Sequence, residues 1–248
     1  MKLILLRHGE SQWNLENRFT GWTDVSLTKN GEYEAKKAGI LLNNNNIQID
    51  LAYISYLKRA VKTHKICQKQ LKKTNMKIKY DWRLNERHYG SLQGLNKSQT
   101  AKKYGDEQVL IWRRSYDTPP PSLDHDDNRH PKFDILYKDI NSKELPSSES
   151  LKDTLNRVKP LWDNNIIPQI NNGKNILIVA HGNSLRAIVK ILKKITNKDI
   201  VNLNIPTGVP YIFEINRNLD VVRDYFLGDQ DKILKKINGV SAQGKSKN

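Results

Sequence analysis

The sequence predicts an α/β fold whose mostly parallel central sheet carries helices on both faces. Short apolar runs at residues 3–6, 51–55 and 176–180 end abruptly in polar turns, as strands covered on both faces do. Amphipathic stretches with helical spacing lie between these runs. Strands that alternate with helices imply right-handed crossovers within one sheet.

The individual elements are predicted from the same two periodicities. Apolar residues recur at helical spacing, with lysines opposite, over residues 57–71, and further helices are expected at 28–42 and 183–195. A start signal at residues 148–150 predicts a helix that runs to about residue 170. Another strand is expected at about 77–83, and apolar runs at 211–215 and 221–227 predict a hairpin around Asn216, Arg217 and Asn218.

The chain is expected to form one domain over residues 1–230, because no internal repeat and no linker divides it. Residues 116–146, with three consecutive prolines, predict a long irregular segment, and such segments are usually functional or disordered. Residues 231–248, with Gly239, Gly244 and scattered lysines, predict a mobile tail.

The composition excludes several classes of protein. The 248 residues contain one cysteine, Cys67, which rules out a disulfide framework and a thiolate metal cage. The apolar run 176–180 is far shorter than the roughly 20 residues of a membrane span. The first apolar run reaches Arg7 too early for a secretory signal. We therefore expect a cytoplasmic protein without a membrane partner.

The charge is strongly basic but diffuse. Lys and Arg number 42 against 26 Asp and Glu, a net charge of +16, and residues 51–80 hold nine basic residues and no acidic one. Such an excess fits a nucleic acid, an acidic membrane surface or a small polyanionic substrate. No base-reading motif accompanies it, so specific nucleic-acid binding is not expected and a solvated lysine-rich surface accounts for most of the excess.

Chemically active side chains follow the predicted strands. His8 ends the first strand, His181 precedes a helix after a later strand, Arg59 follows the second strand, and Glu86 follows the predicted strand at 77–83. The carboxyl ends of parallel strands share one edge of the sheet, where open α/β sheets bind their ligands. These four side chains are therefore expected to meet in one cleft.

Their chemistry suits phosphoryl transfer. Arginine binds phosphate through charge-assisted, often bidentate hydrogen bonds. An imidazole nitrogen can attack phosphorus and form a phosphohistidine, and a nearby carboxylate can exchange a proton with the alcohol oxygen. A lone histidine at a strand end is more often structural, but the pairing of His8 with His181 and two arginines reverses that expectation.

The motifs as a set resemble the histidine phosphatase superfamily, and most fully its 2,3-bisphosphoglycerate-dependent phosphoglycerate mutases. Residues 5–14 (LLRHGESQWN) resemble the superfamily signature. The other matching motifs follow in family order and cover nearly the whole chain, at residues 17–22, 57–60, 84–90, 92–97, 112–114, 181–186 and 204–210. The resemblance implies a phosphoglycerate mutase-like fold.

The resemblance also implies roles for individual residues. His8 matches the histidine that becomes phosphorylated, Glu86 the residue that exchanges a proton with the substrate hydroxyl, and His181 the histidine that assists transfer. Arg7 and Arg59 match the phosphate clamps. Positions that match substrate-binding residues are Ser11, Asn14, Thr20, Gly21, Arg59, Glu86, Tyr89, Lys97, Arg113, Arg114, Gly182 and Asn183.

The implied activity is the glycolytic and gluconeogenic interconversion of 3-phosphoglycerate and 2-phosphoglycerate, primed by 2,3-bisphosphoglycerate without a metal. Minor bisphosphoglycerate mutase and phosphatase activities are expected beside it. The family resemblance implies a homodimer or homotetramer. Residues 240–245 are similar to the segment that covers mutase sites, although the tail lysines could equally be solubilising charge.

Three alternatives stay open at this point. A specialised bisphosphoglycerate mutase resembles the pattern with glycine at position 11, where this chain has Ser11. A general histidine phosphatase would leave the Glu86 loop and Arg113–Arg114 idle. A polyanion-binding protein would lose affinity steeply with salt and would not need His8. His125 and His130 are interpreted as solvated loop residues, and His64 as part of the core.

Overall fold

A computed structural model describes residues 1–72 and 75–242. Its sheet contains six strands in the order β3-β2-β4-β1-β5-β6. They are β1 Lys2–Arg7, β2 Leu51–Ile54, β3 Lys77–Tyr80, β4 Ile176–Ala180, β5 Pro210–Ile215 and β6 Val221–Phe226. The first four in this order pair in parallel, whereas β5 is antiparallel to both β1 and β6. The predicted mostly parallel sheet and the hairpin are confirmed.

Helices cover both faces of this sheet, as predicted. The α-helices are α1 Gln12–Leu15, α2 Lys29–Asn44, α3 Lys58–Gln68, α4 Lys97–Tyr104, α5 Asp106–Arg114, α6 Leu151–Leu161, α7 Ile167–Asn171, α8 Gly182–Lys193 and α9 Gln230–Ala242. Alternate residues of β1 point to opposite faces. Leu3 and Leu5 pack with α6 and α8, whereas Ile4 and Leu6 pack with α2 and α3.

Two predicted elements differ from the observed ones for local reasons. The strand expected to reach residue 83 ends at Tyr80, because the Asp81 carboxylate accepts the Arg83 N–H and starts a 3₁₀ turn. The helix expected to reach residue 170 contains a π-helical turn at Trp162–Ile166 between α6 and α7. Pro168 lacks the N–H that an ordinary α-helix would use there.

The segment at residues 116–146 is irregular, as predicted, and a few buried side chains anchor it to the domain. Three short 3₁₀ turns interrupt it, at Pro131–Phe133, Ile135–Tyr137 and Ser142–Glu144. The side chains of Tyr137 and Leu145 are buried and form a small core with Trp22. The segment therefore braces the loops that follow β1 and β3.

Part of the predicted carboxyl-terminal tail is helical. Residues 231–242 belong to α9, whereas residues 243–248, including half of the segment compared with a lid, lie outside the described residues. Ile233 is 5% exposed, so the helix has an apolar contact with the domain. Among the helices that the structure describes, none is long and apolar enough to cross a membrane.

His64 on α3 is a buried histidine whose protonation can be followed by its effect on stability. Its side chain is 1% exposed, neither ring nitrogen has a hydrogen-bond partner among the described residues, and burial lowers its pKa to about 4. An unfolded histidine binds its proton near pH 6.5, so protons favour the unfolded chain as the pH falls from 6.5 to about 4. Through His64, the free energy of unfolding therefore falls by up to about 1.4 kcal/mol for each unit by which the pH is lowered between 6.5 and about 4.

We expect the free energy of unfolding of a His64→Leu variant to fall less steeply with decreasing pH below 6.5. The difference in slope corresponds to the uptake of up to one proton on unfolding. Urea unfolding measured at several pH values between 7 and 5 gives this slope. The matched variant His125→Leu removes a histidine whose side chain is 72% exposed, and it should keep the slope of the parent chain. Equal slopes for all three proteins would contradict the assignment of His64 as a buried neutral histidine.

Candidate active site

A basic cleft opens at the carboxyl edge of the parallel strands. Six basic side chains and one carboxylate, Glu86, are among the residues that line it. The basic residues are Arg7, Arg18, Lys97, Arg113, Arg114 and Arg186. Such a surplus of cations in a partly enclosed space attracts and desolvates a compact polyanion.

His8 is held at the end of β1 in one tautomer. Its backbone N–H donates to Ala180 O at 3.0 Å, and its ring Nδ1 lies 2.7 Å from the carbonyl oxygen of Gly9. Because a carbonyl oxygen only accepts, Nδ1 carries the proton and Nε2 keeps the free lone pair. A Cβ on Gly9 would lie 2.1 Å from Gly31 O, so only glycine permits this packing of the loop on α2.

A hydrogen-bond network fixes the tautomer of His181. The Ser55 hydroxyl donates to Asn85 Oδ1 at 2.8 Å, and that oxygen also accepts the Tyr56 N–H. Ser55 Oγ therefore accepts from His181 Nε2, 2.8 Å away, and the lone pair is on His181 Nδ1. Nδ1 is buried and has no hydrogen-bond partner among the described residues. Ser55, directly after β2, was not predicted as part of the site.

The two imidazoles meet, as the sequence predicted. Their ring centroids are 4.9 Å apart, and the side chains of His8 and His181 are 2% and 0% exposed. Burial, and then the charges of Arg59 and Arg7, hold both pKa values well below the usual range of histidine. Both rings are therefore neutral at physiological pH, which keeps the lone pair of His8 Nε2 available to an electrophile.

The predicted phosphate clamps Arg7 and Arg59 adjoin this pair. Arg7 donates to Ile205 O at 2.8 Å and lines the cleft. Arg59 is 1% exposed and donates to the backbone oxygens of Gly21 and Thr23, so it also shapes the loop after α1. The Nε atoms of both guanidinium groups are buried without a hydrogen-bond partner among the described residues. Buried donors of this kind suit a phosphate.

Neither His8, His181 nor Arg59 lines the cleft itself. Their chain neighbours Arg7 and Gly182 do so instead. A Cβ on Gly182 would lie 3.5 Å from the Arg7 guanidinium carbon and 3.6 Å from Glu86 Oε2. The first turn of α8 therefore approaches Arg7 and Glu86 through backbone, and the positive end of the helix dipole favours an anion there.

Glu86 is positioned by backbone donors. Its Oε1 accepts the N–H of Arg87 at 2.8 Å and the N–H of Asn183 at 3.0 Å. The side chain is 8% exposed and lines the cleft. With Oε1 engaged in this way, Oε2 remains for a proton on a bound ligand.

The other predicted binding residues divide into two groups. Those that line the cleft are Asn14, Thr20, Gly21, Tyr89, Lys97, Arg113, Arg114, Gly182 and Asn183. Ser11 does not line it: the side chain is fully buried, and it caps α1 by accepting the Asn14 N–H and donating to Asn14 Oδ1. Ser11 therefore has a local capping role in this structure, and its contact with a substrate stays a prediction.

Several cleft residues were not predicted as site residues although they lie in the quoted motifs. Arg18 and Asn204 line the cleft, and so does Arg186, which donates to Asn183 Oδ1 at 2.9 Å. Arg186 follows Gly182 by four residues on α8, and that helical spacing is the signal that could have identified it. His88 instead supports its own loop, because its Nδ1 accepts the Gly90 N–H.

The described residues contain no group of three or more His, Cys, Asp and Glu side chains arranged to hold a metal ion. His125 is exposed, whereas His130 is 2% exposed and its Nε2 lies 3.0 Å from Ser147 Oγ. The interpretation of His130 as a solvated loop residue is therefore wrong, because the packed segment encloses it.

An α/β sheet with two facing histidines and clustered arginines at its carboxyl edge defines a phosphoryl-transfer site of the histidine phosphatase type. The chain matches the histidine phosphatase superfamily (branch 1) over residues 3–129 and 123–226, and it belongs to that superfamily. Within it, the chain belongs with the 2,3-bisphosphoglycerate-dependent phosphoglycerate mutases, on the sequence identities that follow.

The relatives are similar over their whole length. The chain is 57% identical over 245 residues to the 2,3-bisphosphoglycerate-dependent phosphoglycerate mutase of Parabacteroides distasonis, with 99% of each chain covered. It is 56% identical over 246 residues to the enzyme of the same name from Bacteroides fragilis, again with 99% of each covered.

Solved structures share the fold at much lower identity. A mycobacterial glucosyl-3-phosphoglycerate phosphatase superimposes with a TM-score of 0.68 at 22% identity, covering 91% of this chain and 96% of the other. The alpha-ribazole phosphatase from Shigella flexneri gives a TM-score of 0.63 at 20% identity, covering 90% and 95%. These likenesses concern the fold alone.

Proposed function

We propose that this chain interconverts 3-phosphoglycerate and 2-phosphoglycerate through a phosphohistidine at His8. The observation that supports it most strongly is the pair of neutral imidazoles, with ring centroids 4.9 Å apart, beside a cleft lined by six basic residues. The relatives that are 57% and 56% identical are phosphoglycerate mutases by name.

The chemistry follows from the tautomers and the charges. The phosphoryl group on His8 Nε2 passes to the 2-hydroxyl of 3-phosphoglycerate: the O–P bond forms as the N–P bond breaks, and Glu86 Oε2 accepts the hydroxyl proton. Arg7, Arg59 and the first turn of α8 stabilise the charge on the transferring group. His8 then recovers a phosphoryl group from the 3-position, Glu86 returns the proton, and 2-phosphoglycerate leaves.

The charges and donors of the cleft support 2,3-bisphosphoglycerate as the primer. 2,3-Bisphosphoglycerate carries two phosphates and a carboxylate, and the buried unpaired Nε atoms of Arg7 and Arg59 are donors for one phosphate. Lys97, Arg113 and Arg114 lie where the other acidic groups would be held. When bound, the primer supplies the phosphoryl group that first loads His8.

The direct test is a mutase assay with and without a trace of primer. The purified chain should form 2-phosphoglycerate from 3-phosphoglycerate, faster with 2,3-bisphosphoglycerate, and the rate should persist in a metal chelator. A requirement for manganese, or release of inorganic phosphate with no 2-phosphoglycerate, would contradict the proposal and favour a metal-dependent mutase or a phosphatase.

Lys97 gives the proposal a pH signature. Burial, and then the charges of Arg113, Arg7 and Arg114, lower the pKa of Lys97 to about 7. A bound polyanion favours the protonated amine and raises that pKa, so substrate binding should draw a proton from solution. At pH 7.5 the amine is partly deprotonated before binding, so the uptake through Lys97 is expected to be a fraction of a proton per site.

Calorimetry of 3-phosphoglycerate binding in buffers of different ionisation enthalpy measures this proton uptake. A Lys97→Met variant, saturated with ligand, should take up correspondingly fewer protons. The exposed Lys102 lies on the same helix, and a Lys102→Met variant should behave like the parent chain. Identical uptake in the parent chain and Lys97→Met would contradict a role for Lys97 as the group that takes up the proton.

Several expectations from the family resemblance stay predictions. These are the minor bisphosphoglycerate mutase and phosphatase activities, the homodimeric or homotetrameric state, the cytoplasmic location and the covering of the site by the last residues. Phosphatase activity has a simple chemical basis, since water can replace the substrate hydroxyl as acceptor.

A further inference from the structure

A second carboxylate, Glu34 on α2, contacts three separate segments beside the active site. Its Oε2 accepts the backbone N–H of Glu10 at 2.8 Å, two residues after His8. Its Oε1 accepts the Thr207 hydroxyl at 3.1 Å and the Lys236 ammonium at 2.6 Å. We call these four residues, Glu34, Glu10, Thr207 and Lys236, the Glu34 junction.

Two loops of the Glu34 junction also contact or carry groups of the proposed active site. Glu10 belongs to the loop that carries His8, and the next residue after Thr207, Gly208, donates its N–H to Arg7 O at 3.0 Å. A shift of either loop therefore moves the phosphorylated histidine or its neighbouring arginine. Glu34 itself touches neither ring, so its influence on the reaction passes through these loops.

The packing around Glu34 leaves no room for adjustment. A Cβ on Gly31 would lie 2.0 Å from Glu10 O, and a Cβ on Gly208 would lie 2.4 Å from the Cβ of Glu34. Gly208 also has a φ of +63°, a conformation that favours glycine. The first turns of α2 thus lie directly against the backbone of the loops that contain Glu10 and Gly208. A movement of either loop therefore displaces the Glu34 carboxylate.

The third contact comes from the carboxyl-terminal helix. Lys236 on α9 also donates to Thr207 O at 3.3 Å, and its side chain is 40% exposed, whereas that of Glu34 is 8% exposed. A nearly buried carboxylate needs a positive partner, because loss of that partner leaves an uncompensated charge out of water. When α9 packs against the domain, Lys236 therefore supplies the positive partner of Glu34, and Glu34 in turn holds the His8 loop through the Glu10 N–H.

We infer that Glu34 and Lys236 are positioning residues that join the docking of α9 to the placement of the His8 loop for phosphoryl transfer. This inference rests on the proposed function for its kinetic consequence. Small displacements of reacting groups lower the rate of the chemical step more than they lower binding. Loss of the Lys236 contact should therefore lower kcat while the substrate contacts of the cleft, and with them KM, are retained.

The test compares Lys236→Met with Lys236→Arg and Lys235→Met. Met removes the charge at similar length, Arg keeps it, and Lys235 is an exposed neighbour on the same helix. We expect Lys236→Met to lower kcat about tenfold and to change KM by no more than about twofold. A displacement of 1 Å can lower the rate about 100-fold, so a tenfold loss corresponds to a smaller shift of the His8 loop. Lys236→Arg should restore kcat, and Lys235→Met should match the parent chain.

A second measurement does not depend on the reaction. Hydrogen exchange of the Glu10 amide, which donates to Glu34, should accelerate in Lys236→Met and not in Lys236→Arg or Lys235→Met. Unchanged kcat in Lys236→Met, or a fall in kcat without faster exchange at Glu10, would overturn the inference. If the parent chain has no mutase activity, the proposed function fails, and the exchange data alone still decide whether α9 and the His8 loop are coupled.

Discussion

A His8→Ala variant should lose mutase turnover by at least about 10⁴-fold, the size of effect seen when a covalent nucleophile is removed. In the proposed mechanism the protein carries the phosphoryl group on Nε2 of this ring, whose lone pair is left free by the hydrogen bond from Nδ1 to Gly9 O. No phosphohistidine should form. Incubation with labelled 2,3-bisphosphoglycerate, followed by mass spectrometry under non-acidic conditions, locates the phosphate.

His64→Leu serves as the matched control, since His64 is another buried histidine and its ring nitrogens bond to none of the described residues. It should retain both turnover and the label on His8. Circular dichroism spectra of His8→Ala and the parent chain should coincide, which separates loss of chemistry from loss of fold. Label on a serine in the parent chain, or label that persists in His8→Ala, would refute the phosphohistidine mechanism.

A Glu86→Gln variant should lower kcat by about 10²- to 10⁴-fold, the usual contribution of a positioned general acid–base. Glutamine keeps one oxygen that can accept the N–H groups of Arg87 and Asn183, so the loop should retain its structure. The amide that replaces Oε2 cannot accept the hydroxyl proton. Steady-state kinetics should therefore show a much larger change in kcat than in KM.

Glu107→Gln is a suitable control for this variant. Glu107 is exposed in the first turn of α5, the helix that ends with Arg113 and Arg114, and its replacement should leave kcat unchanged. A Glu86→Gln variant that raises KM but keeps kcat would show that Glu86 only holds backbone groups. The proton would then have to move to another acceptor, with the buried Nδ1 of His181 as the first candidate.

Much of the fold follows from periodicity. Strands β1, β2 and β4 are continuous apolar runs because both of their faces are buried, and α2, α3, α6 and α8 carry apolar stripes. Helices α4, α5 and α9 were not predicted. Helices α4 and α5 are short, with eight and nine residues, and their buried residues Ala101 and Val109 find their partners in a small core with Phe19.

The candidate site was predictable to a similar degree. His8, Arg59, Glu86 and His181 were predicted because each follows a predicted strand, and parallel strands direct their carboxyl ends to one edge of the sheet. Sequence motifs did not reveal that Ser11 caps α1 or that Ser55 holds His181. The Ser11 cap is a local contact with Asn14, whereas Ser55 and His181 lie 126 positions apart in the chain and meet only after folding.

By itself the sequence determined the order of the strands and of the helices with apolar stripes, the basic character of the cleft and the residue types that reach the sheet edge. Only the tertiary structure decided the proton positions on both imidazoles, the burial that keeps them neutral and the three contacts of Glu34. Local periodicity encodes which face of an element is apolar. The tautomer of His181 and the charged partner of Glu34 depend on residues distant in the chain, Ser55 and Lys236, which reach them only after folding.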